Sequence, residues 1–129
     1  MTDKAKEVTK KRILIVDDEP NIVKAVRARL EDSGYEAIAA YDGEEALKKA
    51  REEKPDLIIL DLMLPMMDGC DVCRKLKLDE KYKAIPIIMF TAKFQPVDIR
   101  YGMAQGADAY ITKPFDPKML LDKIRELLK

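Results

Sequence analysis

Six polar side chains stand directly after apolar runs in this chain, and their types suit one chemistry. Asp17 and Asp18 follow RILIV, Asp61 follows LIIL, Thr91 follows PIIMF, and Thr112 and Lys113 follow AYI. A charge at the end of a buried run costs desolvation unless something compensates it. Three carboxylates drawn together also repel one another. A divalent cation resolves both problems. Hard oxygen ligands select Mg2+, with Mn2+ as a second choice, and water completes the octahedron. A lysine facing a carboxylate, with a hydroxyl nearby, suits a phosphoryl group, whose transfer needs mainly positioning and charge neutralisation. Asp61 is then the nucleophile and an acyl phosphate the product. Each residue also has a plain structural reading. Asp17 or Asp18 can cap a following helix, Asp61 can open a turn, and Lys113 can sit in solvent. Convergence of matched groups at four strand ends favours a site.

The six residues meet only if the runs are strands of one sheet. Apolar runs fall at residues 13–16, 57–60, 85–90 and 109–111, with a weaker one at 35–40. Helical periodicity fills the gaps. Residues 20–33 place Ile22, Val23, Val26 and Leu30 on one face, with Pro20 in the first turn and Gly34 at the end. Further helices are predicted over 44–53, stopped by Pro55, over 69–78, over 96–105, and over 116–128. The fourth is weakened by Pro96 and Gly102. Strand and helix alternating five times predict a doubly wound α/β fold, a five-stranded parallel sheet in the flavodoxin-like order 2-1-3-4-5 with five helices. In that order the strand carboxyl ends open on one edge, where ligands bind.

Composition removes other classes. With 129 residues, 47% of them hydrophobic, the chain suits one globular domain, expected over 12–129 behind a flexible tail at 1–11. Basic and acidic residues number 24 each, so no net field draws nucleic acid or an anionic membrane. No apolar run approaches the roughly 20 residues that span a bilayer. The charged amino terminus lacks the apolar stretch of a signal peptide, so the cytoplasm is the expected compartment. Histidine is absent, which excludes a Ser-His-Asp site and His-ligated zinc or haem. Cys70 and Cys73 form a C-x-x-C pair. Two thiols are too few to close a zinc site, and they fall at core spacing with Val72 and Leu76, so packing is the better reading.

The stretches ILIVDDEP, LIILDLMLPMMDG, IIMFTA and AYITKPF resemble, in order, the motifs of the bacterial response-regulator receiver domain of two-component signalling, from about residue 12 to 129. The resemblance implies that Asp17 and Asp18 are the acidic pair for Mg2+, that Asp61 is the phosphoacceptor, and that Met63 lends the metal its backbone carbonyl. It implies that Thr91 is the switch hydroxyl, that Lys113 pairs with Asp61 or its phosphate, that Tyr110 is the aromatic switch, and that Lys113-Pro114 is cis. Met63 and Lys93 occupy positions that influence phosphate lifetime in the family. Phe94 is either a partner contact or a cover for the pocket.

The function so implied is a phosphorylation-dependent switch. A sensor histidine kinase or phosphotransfer protein supplies the phosphoryl group from a phosphohistidine. The face formed by the fourth helix, fifth strand and fifth helix then changes to control an output partner protein. The chain catalyses only its own phosphoryl transfer and dephosphorylation, with no direct nucleic-acid contact and no membrane insertion. With no DNA-binding region after Lys129, a single-domain regulator or an isolated receiver is expected. Two other classes share parts of this pattern. An Mg2+-dependent aspartyl-phosphate phosphatase would want a second acid near Asp61, where Leu62 and Met63 stand. A flavin-binding protein would want a phosphate cradle after strand 1, where Asp-Asp-Glu-Pro stands.

Overall fold

The computed structural model describes residues 10–65, 67–92, 100 and 103–128. In chain order the elements are β1 (Arg12–Val16), α1 (Pro20–Asp32), β2 (Glu36–Ala40), α2 (Gly43–Glu53), β3 (Leu57–Asp61), α3 (Gly69–Lys77), β4 (Ile87–Ala92), β5 (Ala109–Lys113) and α4 (Pro117–Leu127). The strands form one parallel sheet in the order β2-β1-β3-β4-β5, as the alternating pattern predicts.

Side chains alternate across the strands, and this sorts the core into two layers. Leu14, Val16, Ile58 and Leu60 pack with Ala46, Leu47 and Ala50 of α2 and Val72, Cys73 and Leu76 of α3. Ile13, Ile15, Leu57 and Ile59 pack on the opposite face with Val23, Val26 and Leu30 of α1 and Leu120 and Ile124 of α4. Helices therefore cover both faces, and β3 is buried along its whole length. Cys70 and Cys73 are reduced and buried in the first layer, where desolvation pushes the Cys73 thiol up to about 11. A thiol so hard to ionise is packing material rather than a redox or metal centre.

Two strands start later than their hydrophobicity predicts, for backbone reasons. Tyr35 donates its N–H to Leu30 O, and Gly34 donates to Glu31 O with φ +91, which closes α1 in a Schellman turn. Strand β2 therefore begins at Glu36, one residue after the turn. Ile85 donates to Tyr82 O in a turn, and Pro86 has no N–H to give, so β4 begins at Ile87.

β2 and β5 are the outer strands of the sheet, and the β2 edge is closed by side chains. Arg27 of α1 donates to Ala37 O at 3.2 Å, and Lys49 of α2 donates to Ala39 O at 2.7 Å. Such caps deny the edge to an added strand. Five helices are predicted from the sequence, and four have their spans within the described residues. The remaining one, predicted over 96–105, falls mostly outside them; Arg100, Met103 and Ala104 are helical. Lys93 and Phe94 also lie outside the described residues, as does most of the predicted tail.

Candidate functional site

The carboxyl ends of β1, β3 and β5 bring three of the predicted acids and the predicted lysine together. Asp17, immediately after β1, is fully buried; Asp61, the last residue of β3, is 4% exposed; Asp18 is exposed at the mouth. One carboxylate oxygen of each lies within 4.8 Å of the others. Lys113, the last residue of β5, puts Nζ 2.8 Å from Asp17 Oδ2 and 3.4 Å from Asp61 Oδ2. The Lys113-Pro114 peptide that follows is cis.

Local backbone structure aims each acid. Asp17 N–H donates to Ala40 O, which holds the end of β1 against β2. Asp17 Oδ1 accepts from Glu19 N–H at 3.0 Å and so turns the chain into α1. The N-cap of α1 is Glu19, with no side-chain cap bond, so neither Asp17 nor Asp18 caps the helix. Asp61 Oδ1 accepts from Met63 N–H at 3.1 Å, an Asx turn that fixes one oxygen and leaves Oδ2 towards Lys113.

Burial is the largest influence on Asp61. It raises the carboxyl, the Asp17 charge raises it further, and the Met63 N–H and Lys113 pull it back, leaving it at about 6. Burial acts on Lys113 in the opposite sense, but the contact with Asp17 and the charges of Asp61 and Asp17 outweigh it and hold the ammonium above its usual range. Asp17 Oδ2 is fully buried and accepts no hydrogen bond; its partner is the Lys113 charge, off the hydrogen-bonding line. A buried carboxylate oxygen short of donors, beside two further carboxylates and with no nitrogen or sulfur ligand, fits a hard divalent cation.

The other predicted residues are placed as follows. Thr91 is buried near the end of β4, one position beyond Phe90, which is in register with Asp61, and it lies opposite Thr112 of β5. The Met63 side chain is 66% exposed beside the mouth. Tyr110 is half exposed on the edge strand β5, in register with Met89 of β4.

Three contributors are not singled out by sequence reasoning. Glu19 Oε1 lies 3.5 Å from Lys113 Nζ. Phe90 lies under the same ammonium, 5.5 Å from ring centroid to Nζ, and packs on Phe115 with centroids 5.9 Å apart. Gly69 opens α3 directly against the Asp61-Leu62 backbone. A methyl group there would overlap Asp61 O and lie 2.8 Å from Leu62 Cα, while its N–H donates to Leu62 O at 3.0 Å. The sequence carries a partial signal for Glu19, the acid between Asp18 and Pro20, and little for the other two.

Among proteins of known family, the response regulator receiver domain profile matches residues 13–125. The chain is 50% identical over 119 residues to the alkaline phosphatase synthesis transcriptional regulatory protein PhoP of Bacillus subtilis, covering 92% of this chain and 49% of that protein. It is 43% identical over 123 residues to the DNA-binding response regulator MtrA of Mycolicibacterium smegmatis, covering 95% and 53% respectively. It thus spans about half the length of these curated relatives. Among solved structures, the chemotaxis response regulator CheY4 of Vibrio cholerae superposes with a TM-score of 0.87 at 38% identity, covering 93% of this chain and 100% of that one. The CheY-like response regulator receiver domain protein of Methanospirillum hungatei gives 0.86 at 37%, covering 93% and 94%. Neither the phosphatase nor the flavin-binding alternative finds support among these similarities. The fold, the acid-lysine cluster and the matched span agree, and the chain belongs to the response regulator receiver domain family of two-component signalling.

Proposed function

We propose that the carboxyl-edge cluster accepts a phosphoryl group on Asp61 from the phosphohistidine of a sensor histidine kinase or phosphotransfer protein. The observation that carries this reading is the Lys113 ammonium lying 2.8 Å from Asp17 and 3.4 Å from Asp61 within a group of three carboxylates. Asp61 Oδ2, unlike Oδ1, is not tied by the Met63 N–H, and it is the attacking atom. Lys113 follows the charge onto the incoming phosphoryl oxygens. Asp17, Asp18, Asp61 and the Met63 carbonyl would hold Mg2+, with Mn2+ as a substitute. When bound, that ion supplies positive charge to offset the carboxylates and the transferring oxygens.

Thr91 turns its hydroxyl to the new phosphate, and Tyr110 leaves its exposed position. The face made of the fifth helix counted in sequence, β5 and the helix before it then changes for an output partner protein. In this reading the chain has five helices, spans 12–129 as a receiver behind a tail at 1–11, and acts in the cytoplasm. It catalyses only its own phosphoryl transfer and loss. With 24 basic and 24 acidic residues, it is assigned no direct nucleic-acid contact. Among the described residues, no helix is long and apolar enough to cross a membrane.

The test is incubation with Mg2+ and a small acyl phosphate, followed by intact-mass and peptide analysis. One added phosphoryl group, labile to hydroxylamine and located on Asp61, is expected. Modification of a hydroxyl residue, or an adduct that persists in Asp61→Asn, would overturn the assignment.

A further inference from the structure

Lys113 and a cation at the aspartates draw on the same atoms. Its Nζ contacts Asp17 Oδ2 and Asp61 Oδ2, and both residues belong to the cluster that can hold a metal. Two cations close together also repel. An arriving divalent ion therefore takes Lys113's partners and pushes on its charge at once.

One carboxylate beside Lys113 lies outside that cluster. Glu19 Oε1 sits 3.5 Å from Nζ and is 61% exposed, on the solvent side of the ammonium. Its backbone is pinned: the N–H donates to Asp17 Oδ1, and the carbonyl accepts from Ile22 and Val23. Its side chain makes no helix-capping bond, although Glu19 is the N-cap residue. The carboxylate is thus anchored at its root, and its tip already holds the lysine in a long hydrogen bond and ion pair at 3.5 Å.

We propose that Glu19 is a positioning residue that takes up Lys113 when a divalent cation occupies Asp17, Asp18 and Asp61, and that it thereby sets the affinity for the cation. This rests on the reading of the three aspartates as metal ligands. Lys113 opposes the cation, and Glu19 relieves that opposition by giving the ammonium a place outside the ligand set.

The experiment is an NMR titration of the full chain with Mg2+ at constant ionic strength, following the amides of Asp17, Asp18 and Met63. Wild type, Glu19→Gln, Lys113→Met and the double variant are compared, with thermal melts to show that each folds. Glu19→Gln should weaken Mg2+ about three-fold, the size expected of a partly exposed ion pair. Lys113→Met should bind Mg2+ more tightly than wild type, and adding Glu19→Gln to it should change little. Glu19→Asp keeps the charge on a shorter stem and should fall between Gln and wild type. Wild-type affinity in Glu19→Gln overturns the proposal. So does a full three-fold loss in the Lys113→Met background, which marks a general field effect, and so does weaker binding in Lys113→Met itself. If Asp61→Asn binds Mg2+ as wild type does, the metal-ligand reading fails, and the proposal fails with it.

Discussion

Burial and the Asp17 charge hold the Asp61 carboxyl at about 6, against 3.8 for an ordinary aspartate. The folded protein therefore binds more protons than the unfolded chain between those values. Its stability is greatest below the unfolded value and falls as pH rises through about 6. At neutral pH the metal-free protein carries a cost on the order of 2–3 kcal/mol at this one residue. Asp61→Asn keeps the shape and removes the charge. Its metal-free melting temperature should exceed that of wild type at pH 7, and the two should converge near pH 4. A melting series across that range, in EDTA, checks the sign. Asp61→Asn melting below wild type at pH 7 would mean that Lys113 stabilises the Asp61 charge more than burial destabilises it. Asp18 contrasts with it. Being exposed, its charge remains in water, so Asp18→Asn should shift metal-free stability by less than about 0.5 kcal/mol.

At the scale of elements, the two ends of the sheet are held by different devices. At the carboxyl end, α3 approaches β3 so closely that only glycine fits at Gly69. Alanine would raise helix propensity by about 1 kcal/mol, but its methyl group meets backbone, which cannot rotate away. The overlap wins. Gly69→Ala should lower stability by roughly 1–3 kcal/mol and should also slow phosphorylation, because the displaced backbone is that of Asp61. At the amino end, Lys77 Nζ donates to Lys83 O, Ile85 O and Asp108 Oδ2 at 3.0, 2.8 and 3.0 Å. Asp108 Oδ2 also accepts from Ile87 N–H at 2.8 Å, so one ammonium ties α3 to the starts of β4 and β5. Lys77→Met leaves two carbonyls without a donor and should cost about 1–3 kcal/mol. Its phosphorylation rate, measured while folded, should match wild type, since the clasp stands at the far end of the sheet. Denaturant unfolding and acyl-phosphate kinetics on the same two variants separate these effects.

For the whole molecule, the site opposes stability in the absence of a cation and is expected to promote it once the proposed cation binds. Two buried aspartates and one lysine leave negative charge uncompensated inside a dense core. The two apolar layers, in which each fully buried large side chain contributes roughly 1.5–3 kcal/mol, absorb that cost. Cation binding should return it through linkage, adding about 2.7 kcal/mol when Mg2+ stands at 100 times its Kd. The expected result is a rise in wild-type melting temperature with Mg2+ concentration. The rise should shrink in Asp18→Asn, which loses a proposed ligand but little metal-free stability. Equal gains in both proteins would place the cation elsewhere.

The sheet follows from the residue pattern alone. Its apolar runs repeat at βα spacing, right-handed crossovers admit few orders, and the polar residues after each run had to reach one edge. That is why Asp17, Asp18, Asp61 and Lys113 were legible as a group. The starts of β2 and β4 were not, because hydrophobicity does not register the Schellman turn at Gly34 or the missing N–H of Pro86. How charge is shared inside the site depends instead on the packing of distant segments. From the sequence the three aspartates look equivalent. In the fold Asp17 and Asp61 are buried and bear the repulsion, while Asp18 faces water. Glu19 enters the site because the turn after β1 swings its side chain back to Lys113, and Gly69 because α3 docks on β3 at backbone contact. Desolvation and close approach are properties of what surrounds a residue, and much of what surrounds these comes from distant parts of the chain.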